Sequence, residues 1–175
     1  MNFLAHFHLA WPEDGLLAGA LEGDYHKGPI SAELSADLAR GVRLHRAIDA
    51  YTDSHPAIAA MRGEFPAELR RYAGILIDLS FDHYLSRHWQ RFAGLHLDDF
   101  NHQVLTRLEA RRTGLSAGSQ RMLGRLREHD LLNRYHDWST VTASAAGIGE
   151  RFRRGNPLDD TGRRLEPLRG RLEAT

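Results

Sequence analysis

The stretch LHRAIDAYTDSHP, residues 44–56, places three potential metal ligands at four-residue intervals: His45, Asp49 and Asp53. Residues four apart lie on one face of a helix, so these side chains are expected to form a row. The row runs beside an apolar stripe that includes Ile48. Side chains at the edge of such a stripe look into the crevice between neighbouring helices, where helical bundles bind metal ions.

A second stretch, GILIDLSFDHYL at 74–85, places two carboxylates in a helix that is apolar on every side and should therefore be buried. Asp78 and Asp82 lie four residues apart in it, and His83 follows Asp82. A buried carboxylate must pair, take up a proton or bind a metal, because an isolated charge in a protein interior is very unfavourable. Two stacked carboxylates also repel each other, and a divalent cation relieves that repulsion better than one arginine does.

Together the two rows predict a divalent-cation site with His45, Asp49, Asp78 and Asp82 as ligands. Imidazole and carboxylate ligands favour manganese, iron, magnesium or zinc. The chain has no cysteine that could supply a thiolate. Asp24 follows the first apolar helix in the segment GDYHKG, where a loop could carry it over the site.

His6 is similarly placed near an apolar helix. Taken singly, each His–Asp pair is more often a half-buried hydrogen bond than a metal site. The metal interpretation depends on the coincidence of two helices that each present ligand-type residues at four-residue spacing.

The periodicity is helical nearly throughout, and no convincing stretch alternates as a strand would. We expect one helix from about Ser31 that stops before Pro56, because the residue preceding proline disfavours helical dihedrals. Another helix should begin after Pro66 and continue to about Phe92. The sequence therefore predicts an all-α fold with a single domain at 1–175.

Further helices are expected to end near Gly23, to start at Asp98 or Asp99, to start at Ser119, and to surround Val141. Neither a signal peptide nor a membrane span is expected, because the first residues lack a basic leader and no apolar run approaches about 20 residues. A cytoplasmic protein fits the absence of cysteine. Motifs for serine hydrolases, zinc peptidases and phosphate-binding loops are absent from the sequence.

The 23 basic and 23 acidic residues are distributed unevenly. Residues 1–100 hold 9 Lys or Arg against 14 Asp or Glu, whereas residues 101–175 hold 14 Arg against 9 acidic residues. An acidic half suits a cation and an arginine-rich half suits an anionic partner, although an uneven solvated surface gives the same count. Nucleic acid is an unsupported partner, because the arginine clusters have little aromatic interleaving.

Four ordered segments resemble the acyl carrier protein phosphodiesterase family: MNFLAHFHLA at 1–10, GDYHKG at 23–28, GVRLHRAIDAYTDSHP at 41–56 and DLSFDHYLSRHW at 78–89. That family is a divergent branch of the HD-type metal-dependent phosphohydrolases, so the resemblance implies a helical bundle like a divergent HD domain. It also implies an enzyme that uses manganese to remove the 4′-phosphopantetheine arm from holo acyl carrier protein, leaving a free serine.

The residues that the resemblance points to are His6, Asp24, His45, Asp49, Asp53, Asp78, Asp82 and His83. Among them, Asp24 is expected to be either a ligand or the base that orients water. His83 or His6 is expected to protonate the leaving serine alkoxide.

Acyl carrier proteins are strongly acidic, so productive docking should require basic side chains near the mouth of the site. The expected substrate-binding residues are Arg43, Arg46, Arg151, Arg153 and Arg154. Two alternatives stay open. One is a metal-dependent phosphohydrolase that acts on a small molecule or nucleotide, and the other is a non-enzymatic helical binding protein whose His–Asp rows are structural.

Overall fold

The computed structural model describes residues 2–175, and this part of the chain contains helices and no strand. The α-helices are, in chain order, α1 (Phe3–Ala10), α2 (Asp14–Glu22), α3 (Ala36–Ser54), α4 (Pro56–Glu64), α5 (Ala67–Arg70), α6 (Ala73–Arg87), α7 (Leu97–Ala110), α8 (Ala117–Glu128), α9 (Leu131–Arg134), α10 (Trp138–Gly149), α11 (Thr161–Leu165) and α12 (Arg169–Ala174). Short 3₁₀ helices cover Trp89–Arg91, Arg112–Gly114, Pro157–Asp160 and Glu166–Leu168. The predicted all-α class is confirmed.

One cluster of buried apolar side chains runs from α1 to α12. Phe7, Leu21 and Leu76 from the first half of the chain belong to it together with Leu126 and Val141 from the second half. A continuous core of this kind is what a single domain requires. Within residues 2–175, no helix combines the length and the apolar character needed to cross a membrane.

The ends of α3 differ in how well the sequence predicts them. The helix ends at Ser54, before Pro56, as expected. It begins at Ala36 instead of Ser31, because the Ser31 hydroxyl accepts a local hydrogen bond of 3.1 Å from the Glu33 amide and so stabilises a turn.

The structure also contains α4, which the apolar pattern did not predict. Pro56 occupies its first turn, where the missing amide hydrogen has no cost, and the His55 side chain caps it by accepting from Ala57 N. The long helix expected after Pro66 is divided into α5 and α6 by a turn at Tyr72, whose buried ring packs against Phe152.

The starts of two helices in the second half, α7 and α8, are shifted by one or two residues from the predicted starts. Asp98 and Asp99 lie in the first turn of α7, where their charges favour the helix dipole, and not at the capping position. Ser116 caps α8 by accepting from the amide of Ser119, so the helix begins at Ala117.

Helices α2 and α3 cross with almost no space between their backbones. A Cβ on Gly19 would lie 2.3 Å from the backbone of Gly41, and a Cβ on Gly41 would lie 2.6 Å from the carbonyl oxygen of Gly15. Only glycine permits such an approach. The crossing brings the carboxyl end of α2, which ends before Gly23 as predicted, alongside His45 on α3.

Candidate metal centre

His6 on α1 and two residues of α3, His45 and Asp49, form a compact cluster in which the potential ligand atoms all lie within 4.8 Å of one another. Asp49 Oδ1 is 3.1 Å from His6 Nε2, and Asp49 Oδ2 is 3.2 Å from His45 Nε2. The two imidazole rings stack with centroids 4.0 Å apart. One carboxylate therefore bridges two histidines that come from different helices.

The orientation of His45 is fixed by a backbone group. Its Nδ1 lies 2.9 Å from the carbonyl oxygen of Ala20, which can only accept, so Nδ1 carries the proton and Nε2 keeps its lone pair for the cluster. Metal-binding histidines typically make this second hydrogen bond. Gly23 leaves the room that the ring needs, because a Cβ there would lie 2.1 Å from it.

Asp24 extends the cluster from the connection between α2 and α3. Its Oδ1 is 3.8 Å from His45 Nε2, and its Oδ2 is buried with no hydrogen-bond partner. His6 Nδ1 is buried and unpartnered as well. Buried polar atoms normally have partners, so two exceptions beside one cluster indicate a functional site. Two imidazoles with carboxylates fit a divalent cation.

The protonation states of the cluster suit a cation. Burial raises the pKa of Asp49, but its interactions with the His45 and His6 imidazoles outweigh burial and hold the pKa below its ordinary value. Burial lowers the pKa of His6, although the hydrogen bond with Asp49 opposes the shift. An ionised carboxylate and a neutral imidazole are the forms that bind metals.

Asp82, predicted as a ligand, makes different contacts. Its Oδ2 accepts from the amide of Leu4 at 3.1 Å, and its Oδ1 accepts from the amide of Ala5 at 3.0 Å. Asn2, which precedes α1, provides no side-chain cap, so Asp82 caps α1 from a neighbouring helix. Burial raises the pKa of Asp82 to about 7, against the effect of these amides. The structure does not bring Asp82 into the cluster of ligand atoms around His6.

The two other predicted carboxylates also lie outside the cluster. Asp78 precedes Asp82 by one turn of α6, and burial raises its pKa. Asp53 follows Asp49 by one turn of α3 and pairs with Arg62 of α4 at 2.5 Å. Asp53 is therefore separated from His45 and Asp49 in function, because Arg62 of α4 pairs with it. The sequence analysis did not predict α4.

His83, expected as a general acid, packs against the second half of the chain. Its Nδ1 donates to the carbonyl oxygen of Tyr135 at 2.8 Å, and its ring meets Trp138 edge to face with centroids 5.1 Å apart. These contacts hold α6 against α10. They place His83 among core residues, whereas His6 lies in the cluster.

Three arginines lie around Tyr25, the residue that follows Asp24. Arg121 and Arg125 of α8 line a cavity of 240 Å³ with Arg151 and Tyr25. None of the three arginines forms an ion pair with a carboxylate of residues 2–175. Tyr25 follows Asp24 directly in the chain, so Tyr25 and Asp24 connect this arginine patch (Arg121, Arg125 and Arg151) to the candidate metal centre.

The connection after α2 holds α8 in this position. Glu22 is fully buried, and its Oε1 accepts from the amide of Ser116 at 2.5 Å. The ring of Tyr25 lies on Gly118, where a Cβ would approach it to 2.3 Å. Within the segment 22–25, Glu22 and Tyr25 thus contact α8 or its capping residue, whereas Gly23 and Asp24 lie next to His45.

The arginines predicted to bind substrate have different surroundings. Arg46 donates to the carbonyl oxygen of His26 at 2.8 Å, so it ties α3 to the segment that carries Asp24. The others are exposed, and of these only Arg151 lines the cavity beside Tyr25. The substrate-binding role of Arg43, Arg46, Arg153 and Arg154 stays a prediction.

The fold and the site define an all-α protein with a His–Asp cluster suited to a divalent cation. Comparison with known families is more specific: the family model described as acyl carrier protein phosphodiesterase matches residues 1–175. The chain therefore belongs to the acyl carrier protein phosphodiesterase family, and the resemblance seen in the four segments is confirmed.

Curated relatives carry the same name. A phosphodiesterase of Photorhabdus laumondii is 32% identical over 167 residues, which cover 95% of this chain and 84% of the relative. One from Escherichia coli O6:H1 is 34% identical over 166 residues, covering 92% and 84%. A Yersinia enterocolitica relative is 43% identical over 91 residues, about half of each chain (52% and 47%). No solved structure matches the chain significantly.

Proposed function

We propose that this protein hydrolyses the phosphodiester that joins 4′-phosphopantetheine to a serine of holo acyl carrier protein, giving the apo protein. Family membership over the whole chain supports the reaction, because the relatives are named acyl carrier protein phosphodiesterase. The observation that carries the proposal is the cluster of His6, His45 and Asp49, whose ligand atoms lie within 4.8 Å of one another.

We assign to this cluster a divalent cation, with manganese first and iron, magnesium or zinc as alternatives that the donor atoms also fit. His6, His45 and Asp49 would hold it, with Asp24 at its edge. When bound, such a cation supplies a Lewis acid for the phosphoryl oxygens and for the attacking water. A small set of protein ligands leaves coordination positions for substrate.

Asp49 and Asp24 would have different roles in the reaction. Asp49, ionised between the two imidazoles, fixes both rings. Asp24 has a buried oxygen without a partner, so it is placed to orient the attacking water and to accept its proton. As the bond from phosphorus to the serine oxygen breaks, the serine oxygen takes up a proton, which balances the proton that Asp24 accepted from water. Water and the diester thus become 4′-phosphopantetheine and a serine hydroxyl.

The arginine patch next to Tyr25 suits an acidic protein substrate. Its three guanidinium groups are without carboxylate partners in the part of the chain that the structure describes, so they are available to carboxylates of a carrier protein. Exposed Arg43, Arg153 and Arg154 would add to the same positive field. We place the reaction in the cytoplasm, which the absence of cysteine fits.

The test uses purified protein that has been treated with a chelator and dialysed. Holo acyl carrier protein is incubated with it, with and without added manganese, and the loss of the arm is followed by mass spectrometry. Conversion to apo protein should require the metal. Asp49→Asn should abolish it, whereas Asp53→Asn, one turn along the same helix, should leave it nearly unchanged.

The result also separates the alternatives. Cleavage of a generic phosphodiester without cleavage of holo acyl carrier protein would favour a small-molecule phosphohydrolase. Full activity of Asp49→Asn would contradict the role of the cluster. Absence of bound metal together with absence of hydrolysis would favour a helical binding protein.

A further inference from the structure

A second, larger cavity of 580 Å³ lies between α1, α6, α8 and α10. Phe3, Leu79, Met122 and Ile148 line it with buried apolar surface. The arginine, glutamate and histidine residues that line it are all exposed, so these ionisable groups lie towards its rim and away from the apolar interior. Those rim residues are Arg125, His129, Arg134, Glu150 and Arg151.

Two features relate this cavity to the candidate metal centre. Phe3 precedes His6 by one turn of α1. Met122, Arg125 and Arg151 line both this cavity and the smaller one at Tyr25, whose neighbour in the chain is Asp24. We therefore expect that a group attached to a phosphate at the cluster extends towards the cavity.

The size and lining of the cavity indicate the kind of ligand. Its volume of 580 Å³ falls within the range of about 300–1,000 Å³ that is usual for small-ligand sites. Its apolar surface is interrupted by the hydroxyl groups of Thr140 and Ser144. An apolar interior disfavours a charged ligand, while a mixed lining fits a flexible chain that has both apolar groups and amides.

We propose that this cavity receives the pantetheine arm of the substrate, an inference that rests on the function proposed above. The arm is a neutral chain with a dimethyl-substituted carbon, a hydroxyl, two amides and a terminal thiol. Its apolar parts match Phe3, Leu79 and Ile148. Its amide N–H groups can donate to the hydroxyl oxygen of Thr140, whose own proton is donated to the carbonyl oxygen of Arg134. The acidic carrier protein stays outside at the arginine patch, so each part of the substrate meets the surface that suits its charge.

Gly147 on α10 offers a direct way to block the cavity. It lines the cavity, and a Cβ built on it meets no atom within 4 Å. Gly147→Leu should therefore place a side chain in the open space without a clash, and leucine is a better helix former than glycine. Gly63→Leu is the matched control, because Gly63 is also helical, is exposed, has equally open surroundings and does not line the cavity.

The experiment measures binding of pantetheine, which lacks the phosphate, to metal-free protein by calorimetry. Wild-type protein and Gly63→Leu should bind it equally, and Gly147→Leu should bind it at least tenfold more weakly. In the metal-loaded enzyme, Gly147→Leu should raise KM for holo acyl carrier protein by a similar factor. Circular dichroism confirms that both variants are folded.

The two proposals fail in different ways. Equal binding of pantetheine by Gly147→Leu and wild type, or no binding by wild type up to millimolar concentration, would overturn the cavity assignment even if hydrolysis occurs. Loss of pantetheine binding in Gly147→Leu supports the assignment even if wild-type enzyme fails to cleave holo acyl carrier protein. Failure of the wild-type enzyme to cleave holo acyl carrier protein overturns only the proposed function.

Discussion

The imidazole rings of His6 and His45 stack at an interplanar angle of 13°, with centroids 4.0 Å apart and with Asp49 between their Nε2 atoms. Two protonated rings at this distance would repel each other, so the stack disfavours a doubly protonated pair and leaves Asp49 as an anion that a metal ion can bind. The packing of α1 against α3 thus places the anionic carboxylate of Asp49 between two imidazole rings, an arrangement that attracts a cation. Small displacements of either ring should therefore change metal affinity.

Gly23→Ala tests this dependence on ring position. The new Cβ would lie 2.1 Å from the His45 ring in the present geometry, so the ring must move and its hydrogen bond to Ala20 must lengthen. Disturbance of such supporting contacts usually costs about 10–100-fold in metal affinity or activity. We expect a loss of that size, measured by metal titration and by conversion of holo to apo carrier protein.

Gly63→Ala provides the comparison for that variant. A Cβ on Gly63 meets no atom within 4 Å, and the residue is exposed in α4. Replacing an exposed helical glycine with alanine should stabilise the protein by up to about 1 kcal/mol and leave turnover unchanged. If Gly23→Ala kept wild-type metal affinity, metal binding would not depend on the room that Gly23 leaves for the His45 ring.

Asp82→Ala should lower stability and leave the metal content unchanged. The substitution leaves the amides of Leu4 and Ala5 without their partners at a buried helix start, which costs about 1–3 kcal/mol for unsatisfied groups. Urea unfolding of the metal-free protein measures the loss. Asp98→Ala, at an exposed site in the first turn of α7, should cost much less. Wild-type stability combined with loss of bound metal would identify Asp82 as a ligand instead of a cap.

The sequence predicted part of this site because helical periodicity is local. Four-residue spacing was enough to place His45 and Asp49 on one face. It also showed that Asp82 is buried and needs partners, but a pattern within one helix cannot show that those partners are backbone amides of α1. Similarly, the role of Asp53 depended on Arg62, which reaches it only through α4.

The arginine patch was missed although a signal was present. Arg121 and Arg125 are four residues apart, and Arg121 has no acidic residue within four positions. Such a pair should lie on one helix face, and Arg121 has no local partner there. Its position beside Asp24 depends on the contact between Tyr25 and Gly118, which joins distant parts of the chain and leaves no mark on the sequence.

Asp37 should make stability depend on acid pH. Hydrogen bonds from Ser35 and Arg111 lower the pKa of Asp37 to about 2, from an ordinary value near 3.8. A lowered pKa means that the carboxylate stabilises the folded state above about pH 4 and that this contribution disappears as the pH falls towards 2. Because Asp37 is partly exposed and screened by solvent, the contribution should be below about 1 kcal/mol.

Urea unfolding of wild type and Asp37→Asn at several pH values measures this contribution. The stability difference should be largest near pH 5 and should vanish near pH 2. Asp159→Asn, at an exposed aspartate without an ion-pair partner in residues 2–175, should show almost no difference at either pH. A difference for Asp37→Asn that stays constant from pH 5 to pH 2 would mean that its charge is not involved.

Charge reversal in the arginine patch should weaken the use of the carrier protein as substrate. Arg121→Glu with Arg125→Glu replaces two unpaired cations beside Tyr25 by anions, so an acidic partner is repelled where it should dock. We expect kcat/KM for holo acyl carrier protein to fall by about tenfold or more at low salt. Hydrolysis of a small generic phosphodiester should change little, since no protein surface has to dock.

Two comparisons make this result specific to the patch. Arg163→Glu reverses one charge at an exposed residue that lines neither cavity, so it should have little effect. Arg153→Glu with Arg154→Glu should have a smaller effect than the patch variant, because these residues do not line the cavity at Tyr25. Exposed charges are screened over about 8 Å at physiological ionic strength, so added salt should remove most of the difference between wild type and the patch variant. If salt lowered the rates for the carrier protein and the small phosphodiester equally, the patch would not be a docking surface and a small-molecule substrate would be favoured.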